Sequence, residues 1–524
     1  MMVESIAVSG LSEGSHVWLR ADSQSRWLWL DLAEALQRLT GATPVLIVSS
    51  SEDATYYRSQ RPNFSGEIVV ARDVYRDAVR DVGAKEDPAA LIAKAKALED
   101  EYGLQIFRDM MLADRHLGRA YILGGQGHPV SRTSRKAGYI ASLYAAITTM
   151  EFHIELSQRC PPRMIVCWGG GGGVMGKPLV MIARKLGIPF RSFNSGRFKN
   201  WYFWSPDEYA SSPELEAFLE KQPQPADDEV NAVQASVAPN ALAGTAAVNE
   251  VVKSQRWLQI AKDIAMLFVR RFYWHLRGYR KAEIGYDPFS VAASLIRRRL
   301  HMNYLDRHAL RRLPDLPAGS KLVYFPLQVE PESSTVTLAP YAANQLGMAL
   351  ELSMSLPADY RLIVKEHIWQ LGRRPNGFYD KIRALPNAIL MHPLASSLDI
   401  VRKSDLVCAI SSSAAYEAGV LGKRTCLLQE SSPLRVLPHV LVGCDAGILR
   451  KLRSFLAKQY DAEAAARAGA QYYLALEQFC ADLGATPFHQ RSGGMNAEEI
   501  QDILGALMRS IAFSSPLAEH VTET

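Results

Sequence analysis

Three short segments of this chain place polar and charged side chains directly after apolar runs typical of buried strands. Ser411, Ser412 and Ser413 follow DLVCAI, Lys365-Glu366-His367 follows RLIV, and His392 follows AILM. Hydroxyls and free backbone N–H groups at a helix start, at the carboxyl end of a parallel strand, form a phosphate site. A lysine or histidine at the same edge can neutralise a nucleotide phosphate and help it leave. The pattern indicates a phosphorylated ligand.

A carboxylate and a polar loop extend this candidate site. Glu417 lies four residues after Ser413, so a helix that begins at the serines places both on one face, where Glu417 can accept hydrogen bonds from ribose hydroxyls. The loop QVEPESST after KLVYFPL adds Gln328, Glu330 and Glu332. Simpler interpretations stay open: a serine that caps the helix, worth about 1 kcal/mol, a structural histidine and an ordinary polar turn.

A glycine-rich segment lies between RMIVCW and the helix-like KPLVMIARKLG. Its spacing, Gly171-x4-Gly176-Lys177, matches a nucleotide-binding P-loop except at the last position, where Pro178 replaces the hydroxyl residue that ligates Mg²⁺. Hydrolysis of ATP or GTP is therefore not expected. Either a tight turn or the close approach of a ligand or facing domain explains the glycines, which include Gly170, Gly171, Gly172 and Gly173.

A scaffold of alternating strands and helices would bring these strand ends to a common edge. Before residue 205, the strand-like runs are HVWLRA, PVLIVSS, GEIVVAR and RMIVCWG. After residue 318, five apolar runs alternate with helix-length segments at 340–355, 376–385, 397–403 and 413–422. Apolar strands alternating with helices predict parallel sheets covered on both faces. The predicted fold class is α/β, with two Rossmann-like domains facing a cleft and ligands at the carboxyl ends of the strands.

The length of 524 residues allows about two to four domains. We expect an N-terminal Rossmann-like domain at 1–204 and a C-terminal Rossmann-like domain at 318–460. The remaining regions are an acidic Pro/Ala-rich linker at 205–250, a basic aromatic helical region at 251–317, and C-terminal helices with a tail at 461–524.

Charge is divided unevenly between neighbouring segments. Residues 205–250 contain nine acidic residues and one lysine, whereas residues 270–312 contain eleven basic and three acidic residues, interleaved with aromatic ones. The arginines either neutralise the linker and cover apolar surface with their stems, or form a surface for anionic lipid headgroups at the inner membrane. Nucleic-acid binding is disfavoured because no recognition module accompanies the charge.

The composition is that of a globular protein, with 48% hydrophobic and 22% charged residues. The six cysteines form no CxxC pair, which indicates buried thiols in a reducing compartment. The first residues show no secretory signal, and no apolar stretch approaches the length of a membrane span. These features predict a cytoplasmic protein, peripheral at the inner face of the cytoplasmic membrane if the basic region binds lipid.

The order of motifs in the second half resembles a known enzyme family. PLQxxPExST, VKEH, HP and SSSAAYEAGVLGK are similar to motifs of the capsular-polysaccharide biosynthesis glycosyltransferases, which include the capsule β-Kdo transferases. The resemblance is good over 321–430 and looser over 140–204. Two positions depart from the family pattern: Ile368 replaces the proline of KEHP, and Ala415-Tyr416 replaces the usual glycine before Glu417.

The resemblance implies a GT-B glycosyltransferase that moves a sugar from a nucleotide-sugar donor, with a CMP-Kdo-like donor favoured, to a growing surface or capsular polysaccharide. It makes 1–204 the acceptor domain and 318–460 the nucleotide-sugar-binding domain. It places Gln328 and Glu332 near donor or acceptor, and Glu417 near the ribose. The donor phosphate would be bound by Lys365, His367, Ser411, Ser412 and Ser413. No cofactor and no metal are expected, since the nucleotide sugar is a substrate. The expected partners are the donor, a glycan or glycolipid acceptor and other capsule assembly proteins, without nucleic acid.

The catalytic group of such an enzyme would be a carboxylate of the N-terminal domain, acting as general base or nucleophile. The candidates are Glu151 and Glu155, which share one helical face in TTMEFHIELSQ, and Asp114 in LADRHLG. A solvated helix stripe explains the first two equally well. Two other functions stay open: a sugar-nucleotide epimerase of GT-B-like fold, and a non-catalytic capsule assembly or export factor.

Overall fold

The computed structural model divides the chain into two compact units. Unit 1 draws on residues 1–112, 138–220 and 476–524, and unit 2 on residues 113–137 and 221–475. The residues described are 11–21, 25–71, 87–112, 114, 138–237, 252–276, 288–330, 332–445, 447–484, 486, 491 and 493–513. Each unit is built around a mainly parallel sheet, so the predicted α/β protein with two Rossmann-like domains is confirmed; the cleft between them stays a prediction.

The strands follow the apolar runs of the sequence closely. In unit 1 they are β1 (His16–Ala21), β2 (Thr43–Val48), β3 (Glu67–Val70), β4 (Pro162–Trp168), β5 (Phe190–Ser195) and β6 (Trp201–Ser205). In unit 2 they are β7 (Lys321–Pro326), β8 (Tyr360–Lys365), β9 (Ala388–Met391), β10 (Leu406–Ala409), β11 (Arg424–Leu427) and β12 (Val440–Val442). The short β13 (Ala481–Asp482) returns to unit 1.

The helices of the first half are α1 (Arg26–Thr40), α2 (Ser51–Gln60), α3 (Pro88–Tyr102), α4 (Tyr139–Arg159), α5 (Gly173–Leu186), α6 (Pro213–Glu220), α7 (Asp227–Ser236) and α8 (Trp257–Leu276). Those of the second half are α9 (Pro288–His308), α10 (Ser333–Val336), α11 (Gln345–Ser355), α12 (Phe378–Arg383), α13 (Ser397–Lys403), α14 (Ser413–Val420), α15 (Ile448–Ala457), α16 (Ala462–Phe479) and α17 (Ala497–Phe513). A π-helix spans Ile106–Met111. No helix among the described residues is long and apolar enough to cross a membrane.

The sheet of unit 1 has the order β13-β6-β5-β4-β1-β2-β3. The five neighbouring strands β5, β4, β1, β2 and β3 pair in parallel. At the edge beside β5, strands β6 and β13 add antiparallel pairs. Its core packs buried side chains of β1 against Leu28 and Leu32 of α1 and Ile503 and Leu507 of α17. Parallel strands buried on both faces explain why each of these runs is apolar rather than alternating.

The C-terminal helix α17 is part of unit 1. The indole N–H of Trp204 donates to the carbonyl of Ile503 at 3.1 Å. The buried Arg191 donates from Nε to Ser510 Oγ at 2.6 Å and from Nη2 to the Ser510 carbonyl at 2.8 Å. The structure therefore divides the end of the chain differently from the predicted boundary at 460, because these long-range contacts are invisible in the local pattern.

The acidic segment 205–250 is folded where it is described. Glu208 is buried in unit 1 and Asp207 is half-buried, and α6 and α7 follow. Asp207 accepts hydrogen bonds from the side chain of Ser211 and the backbone N–H of Tyr209. The start of this segment is thus a structural part of unit 1, in contrast to the predicted linker, while residues 238–251 lie outside the described part of the chain.

The sheet of unit 2 has the order β12-β11-β10-β7-β8-β9, and all its pairs are parallel. The fully buried residues Val323, Phe325, Leu362 and Cys408 pack this sheet against the surrounding helices. Because all strands point the same way, their carboxyl ends form one edge. The predicted donor-binding residues all follow strands of this sheet.

Candidate functional site

A buried ion pair organises the loop that follows β8. Glu366 and Arg374 are both fully buried. The guanidinium donates from Nε to Oε2 at 2.9 Å and from Nη2 to Oε1 at 3.0 Å, and the hydroxyl of Tyr379 donates to Oε2 at 2.9 Å. Two parallel charge-assisted bonds fix both position and orientation. Glu366 is therefore committed to the protein interior, although it lies between two predicted site residues.

Arg374 also holds the loop that follows β7. Its Nη2 donates to the carbonyl of Gln328 at 2.9 Å, and its Nη1 lies 3.1 Å from Oε2 of Glu330. Gln345 accepts the backbone N–H of Gln328 at 2.7 Å and donates to Glu330 at 2.6 Å. Burial raises the pKa of Glu330 despite the opposing effect of Arg374. The two loops are therefore fixed relative to each other, which provides a rigid base for the strand-end residues.

Lys365 differs from these groups because no ion pair holds it. Among the described residues, no carboxylate lies within 4 Å of its ammonium group. Burial lowers the pKa of Lys365 to about 8, and Glu366 and Glu417 only partly oppose this effect. Lys365 is half-buried, and a partly desolvated ammonium without a close counter-ion carries a cost. An added phosphate would relieve this cost.

The serine turn lies at the same level of the sheet as Lys365. Strand β7 lies between β8 and β10. Its residue Pro326 pairs with Lys365 of β8, and its residue Tyr324 pairs with Val407 of β10. Extending the second register by two residues places Ala409 of β10 beside Pro326. With about 4.8 Å between strands, the end of β10 lies roughly 10 Å from Lys365. The side chain of Glu417 comes near enough to affect the pKa of Lys365. The structure therefore brings the two predicted halves of the phosphate site together.

The three serines do three different things. Ser412 Oγ accepts the backbone N–H of Ala414 at 3.2 Å, so it is the N-cap of α14. Ser413 is exposed and bonds the carboxylate of Glu417, whose pKa burial raises. Ser411 is buried, and its hydroxyl has no hydrogen-bond partner among the described residues. The capping interpretation thus accounts for Ser412 alone.

The two predicted histidines are neutral at physiological pH. Burial lowers the pKa of His367 to about 4, and its Nδ1 accepts the backbone N–H of Trp369 at 3.3 Å. His392 is buried, with Nε2 3.2 Å from Asp306 and Nδ1 accepting the N–H of Leu394 at 3.2 Å. Burial also lowers the pKa of His392, and Arg311 adds to the effect. A neutral imidazole can donate one hydrogen bond but carries no charge, so Lys365 is the cationic group among the predicted donor-binding residues.

The two predicted residues after β7 lie apart from these groups. Gln328 is buried, and its side-chain amide donates to the carbonyl of Pro326 at 3.2 Å. Glu332 is exposed, and its backbone carbonyl accepts the hydroxyl of Thr335 at 2.8 Å. No described contact joins either side chain to Lys365 or the serines.

Sequence reasoning missed Gln429, which follows β11. Extension of the β10–β11 register places it beside Ser411, and Leu428 donates to the Ala409 carbonyl at 2.8 Å. Gln429 is fully buried, yet neither atom of its amide has a hydrogen-bond partner among the described residues. Buried amides normally have partners. The signal was available, since LLQESSP repeats the pattern of a polar group after an apolar run.

The glycine-rich loop of unit 1 is packed by its own surroundings. A Cβ on Gly171 would lie 2.5 Å from Cγ2 of Val180, and Gly173 has φ +72°. The N–H of Gly172 donates to the Gly170 carbonyl at 2.7 Å. These features fit the tight-turn alternative.

Lys177, the lysine of the P-loop-like motif, forms an ion pair within the protein. It is buried, and its Nζ lies 3.0 Å from Oε1 of Glu208. Arg184 binds the other oxygen of this carboxylate, Oε2, at 2.8 Å. Burial alone would raise the pKa of Glu208, but Lys177 and Arg184 outweigh it and hold the pKa below its ordinary value. The carboxylate thus takes the place that a phosphate occupies in a P-loop.

The predicted catalytic carboxylates do not converge. Glu151 lies 3.5 Å from Lys94 on the surface of α3 and α4, and Glu155 is exposed. Asp114 is buried, with its neighbours in sequence outside the described residues. The same helix carries a group that the sequence did not reveal: burial lowers the pKa of His153 to about 4, and its Nδ1 lies 2.7 Å from the Thr149 carbonyl.

A separate cavity of about 430 Å³ lies within unit 2. It is lined by residues of α11 and α15, among them Met348, Met354 and Leu449, and by Cys444. None of the predicted donor-binding residues lines it, so the strand-end site and this cavity are different features.

The fold defines an α/β protein with two mainly parallel sheets, and the predicted donor-binding residues lie at the carboxyl edge of the second sheet. No protein-family model matches the chain, and no curated protein matches its sequence. A UDP-GlcNAc 2-epimerase from Neisseria meningitidis, bound to UDP-GlcNAc, is similar at 10% identity over 88% of this chain and 99% of that chain, with a TM-score of 0.26.

Two transferase structures are also similar. KpsC of Thermosulfurimonas dismutans, a β-Kdo 2,4 transferase, has 12% identity over 59% of this chain and 79% of that one, with a TM-score of 0.30. The spinosyn rhamnosyltransferase SpnG, complexed with thymidine diphosphate, has 10% identity over 88% and 96%, with a TM-score of 0.26. At these values the function must be argued from the residues themselves.

Proposed function

We propose that this chain is a glycosyltransferase that binds a nucleotide-sugar donor at the carboxyl edge of the unit 2 sheet. The favoured donor is CMP-Kdo-like, and the favoured acceptor is a growing surface or capsular polysaccharide. The donor and acceptor classes follow from the resemblance of the strand-end motifs to capsular-polysaccharide glycosyltransferases. The geometry of this chain supports the proposed binding mode.

The observation that carries the proposal is the unpaired ammonium of Lys365. Burial lowers its pKa to about 8, and no carboxylate among the described residues forms an ion pair with it. A nucleotide phosphate would complete this pair with a charge-assisted hydrogen bond. The same contact would raise the pKa of Lys365 and stabilise the negative charge that develops on the leaving nucleotide.

The serine turn supplies the second side of the phosphate site. The eight-residue helix α14 starts at Ser413, and its first backbone N–H groups point to the strand edge. The unpartnered hydroxyl of Ser411 is a further donor beside this helix start. Glu417, held through Ser413, is placed to accept hydrogen bonds from ribose hydroxyls.

The acceptor side of the reaction belongs to unit 1 in this proposal. A carboxylate there would deprotonate the acceptor hydroxyl or act as nucleophile. Glu151 and Glu155 lie in unit 1, whereas Asp114, the third candidate, falls in unit 2. Of the three, Asp114 has the burial that catalytic carboxylates commonly show, whereas Glu151 is engaged with Lys94.

Ligand-induced stabilisation tests the binding step. Thermal unfolding would be followed with CMP, UDP, GDP or ADP, with and without Mg²⁺, for the wild type and for Lys365→Met. A nucleotide at 100 times its Kd adds about 2.7 kcal/mol of stability, and we expect such a shift with CMP in the wild type and in the control, but a clearly smaller one in Lys365→Met. The exposed Lys403→Met is the matched control. Equal shifts in all three proteins would refute the Lys365 site.

Product analysis then separates the possible reactions. A transferase converts donor and acceptor into nucleotide and extended glycan, whereas an epimerase releases sugar products without an acceptor. Acceptor-independent turnover would favour the epimerase. Failure of every nucleotide to shift the unfolding temperature would favour a non-catalytic assembly factor.

A further inference from the structure

Helix α8 buries the apolar side chain of Ile260 on one face and exposes large apolar side chains on the opposite face. Ile260 on the first face is buried, 2% exposed. Four large apolar side chains on the other face are exposed: Leu258 by 70%, Val269 by 57%, Phe272 by 64% and Leu276 by 67%. A helix with one covered apolar face needs no second one for folding, so this second face requires another explanation.

The four exposed residues form a continuous stripe, here called the α8 stripe. At about 100° per residue, the positions 258, 269, 272 and 276 fall within roughly 60° of one another around the helix. Ala265 lies in the middle of the stripe. Such a stripe along a 20-residue helix is an extended contact surface rather than a scatter of single exposed side chains.

The charges of the segment that carries the stripe are almost all positive, and most of them lie on the other sides of the helix. Residues 252–276 contain the basic residues Lys253, Arg256, Lys262, Arg270 and Arg271, and Asp263 is the acidic residue among them. Lys262 follows Leu258 by four residues, so it borders the stripe. Long basic side chains can extend to anionic headgroups while apolar neighbours enter the boundary of the acyl region.

Helix α9 extends the exposed apolar area. The rings of Phe268 and Phe289 meet at 5.3 Å, which joins the two helices. Phe289, Ile296 and Leu300 follow one another at helical spacing on α9 and are 71%, 40% and 51% exposed. The exposed area therefore includes side chains of both helices.

The arginine run of α9 is less available than its sequence indicates. Arg297 donates from Nη2 to the carbonyl of Arg374 at 3.5 Å, and the guanidinium of Arg298 lies 6.0 Å from the centre of the Trp369 ring. These two arginines contact their own unit, which agrees with the interpretation that they cover protein surface. The exposed charge lies mainly on α8.

We propose that the α8 stripe binds the surface of a bilayer that contains anionic phospholipids, with α8 lying in the plane of the interface. A second copy of the chain is disfavoured as the occupant, because it would bring two sets of these basic residues together. An anionic bilayer offers both an apolar layer for the stripe and the opposite charge. This proposal does not depend on sugar transfer.

Vesicle sedimentation tests the proposal with the full chain. The vesicles contain phosphatidylcholine alone or phosphatidylcholine with 30% phosphatidylglycerol, a composition chosen to give a strong negative surface. We expect at least tenfold stronger binding to the anionic vesicles, and loss of this advantage in high salt. Equal binding to both vesicle types, or no binding to either, would overturn the proposal.

Two variants separate the apolar and the electrostatic contributions. Phe272→Ser with Leu276→Ser should weaken binding to anionic vesicles at least tenfold. Lys262→Gln with Arg270→Gln should weaken it several-fold and reduce its salt dependence. The matched controls are Leu350→Ser with Met354→Ser, on the exposed face of α11, and Lys403→Gln with Lys458→Gln. Equal losses in the controls would overturn the proposal.

The same variants address the competing occupants. All substituted side chains are exposed, so the thermal unfolding temperature should stay within a few degrees of the wild type. Analytical ultracentrifugation without lipid should show the same mass for wild type and Phe272→Ser with Leu276→Ser. A wild-type dimer that these substitutions dissociate would assign the stripe to a second copy instead.

Discussion

Two lysines near strand ends, one in each unit, differ in whether the protein supplies a carboxylate to pair with them. Lys177 follows the glycine-rich loop of unit 1 and lies 3.0 Å from Glu208, with Arg184 on the same carboxylate. Lys365 ends β8 of unit 2, and burial lowers its pKa to about 8 with no ion-pair partner among the described residues. Of the two, the lysine in the P-loop-like motif is the one that the protein itself neutralises.

The contrast shows how to distinguish a structural cation from a binding one. Both ammonium groups pay a desolvation cost, but only Lys177 recovers it within the protein. A cost that is left uncompensated is what a ligand can recover, and for this reason we propose Lys365 as the binding lysine. A sequence motif records the type of residue and its spacing, but not whether an opposite charge lies beside it.

The largest expected effect is on stability and concerns the ion-pair cluster of Lys177, Arg184 and Glu208 in unit 1. Glu208→Ala would leave Lys177 buried without its counter-charge, and we expect a loss of about 3–5 kcal/mol of unfolding free energy, measured with urea. Glu101→Ala is the control, since Glu101 pairs with Lys185 at the exposed surface and such pairs contribute about 0–1 kcal/mol. A similar small loss for both variants would remove the structural role given to Lys177.

The second prediction concerns Lys365 of unit 2, the lysine without an ion-pair partner among the described residues. Lys365→Met removes a desolvated charge that has no ion pair, so the unfolding free energy should stay equal or rise. Nucleotide affinity should fall about 10- to 100-fold, the range for a lost charge-assisted hydrogen bond. Calorimetric titration and urea unfolding of one preparation measure both quantities. A clear loss of stability with unchanged affinity would make Lys365 structural and end the contrast with Lys177.

The third prediction follows from the direction of the pKa shift of Lys365. Its folded-state pKa, about 8, lies below the ordinary value of 10.5, so the unfolded chain binds more protons between these pH values. The contribution of this residue to stability therefore rises with pH across that window. Nucleotide affinity should fall above about pH 8 as the ammonium loses its proton, and Lys365→Met should lack this fall. An identical pH profile in the variant would contradict the assignment.

The smallest effects distinguish neighbouring serines. Ser412→Ala removes the N-cap of α14 and should cost about 1 kcal/mol. Ser411→Ala removes a hydroxyl that has no hydrogen-bond partner among the described residues, so it should cost little stability yet weaken nucleotide binding. Thermal unfolding with and without nucleotide measures both. Reversed effects would exchange the two roles.

Local pattern was sufficient for the main elements of both sheets. Apolar runs predicted β1 to β4 and β7 to β11 within a few residues, since strands buried on both faces carry a continuous apolar signal. Strands β5 and β6 were missed because FRSFNS and WYFWS mix polar with aromatic residues. The C-terminal helix α17 was recognised as a helix, but its place in unit 1 depends on contacts with residues about 300 positions away.

The candidate site was predicted in part, for the same reason. The sequence determined which residues stand at the ends of parallel strands, and this was enough to bring Lys365, Glu417 and the serines to one edge. Only the tertiary structure decided which charges are paired: Lys177 forms an ion pair with Glu208, and Glu366 forms one with Arg374. It also decided that Gln429 lies beside Ser411 at the carboxyl edge of the unit 2 sheet. Type and spacing are local properties of a chain, whereas burial and the presence of a counter-charge arise from segments that meet only when the protein folds.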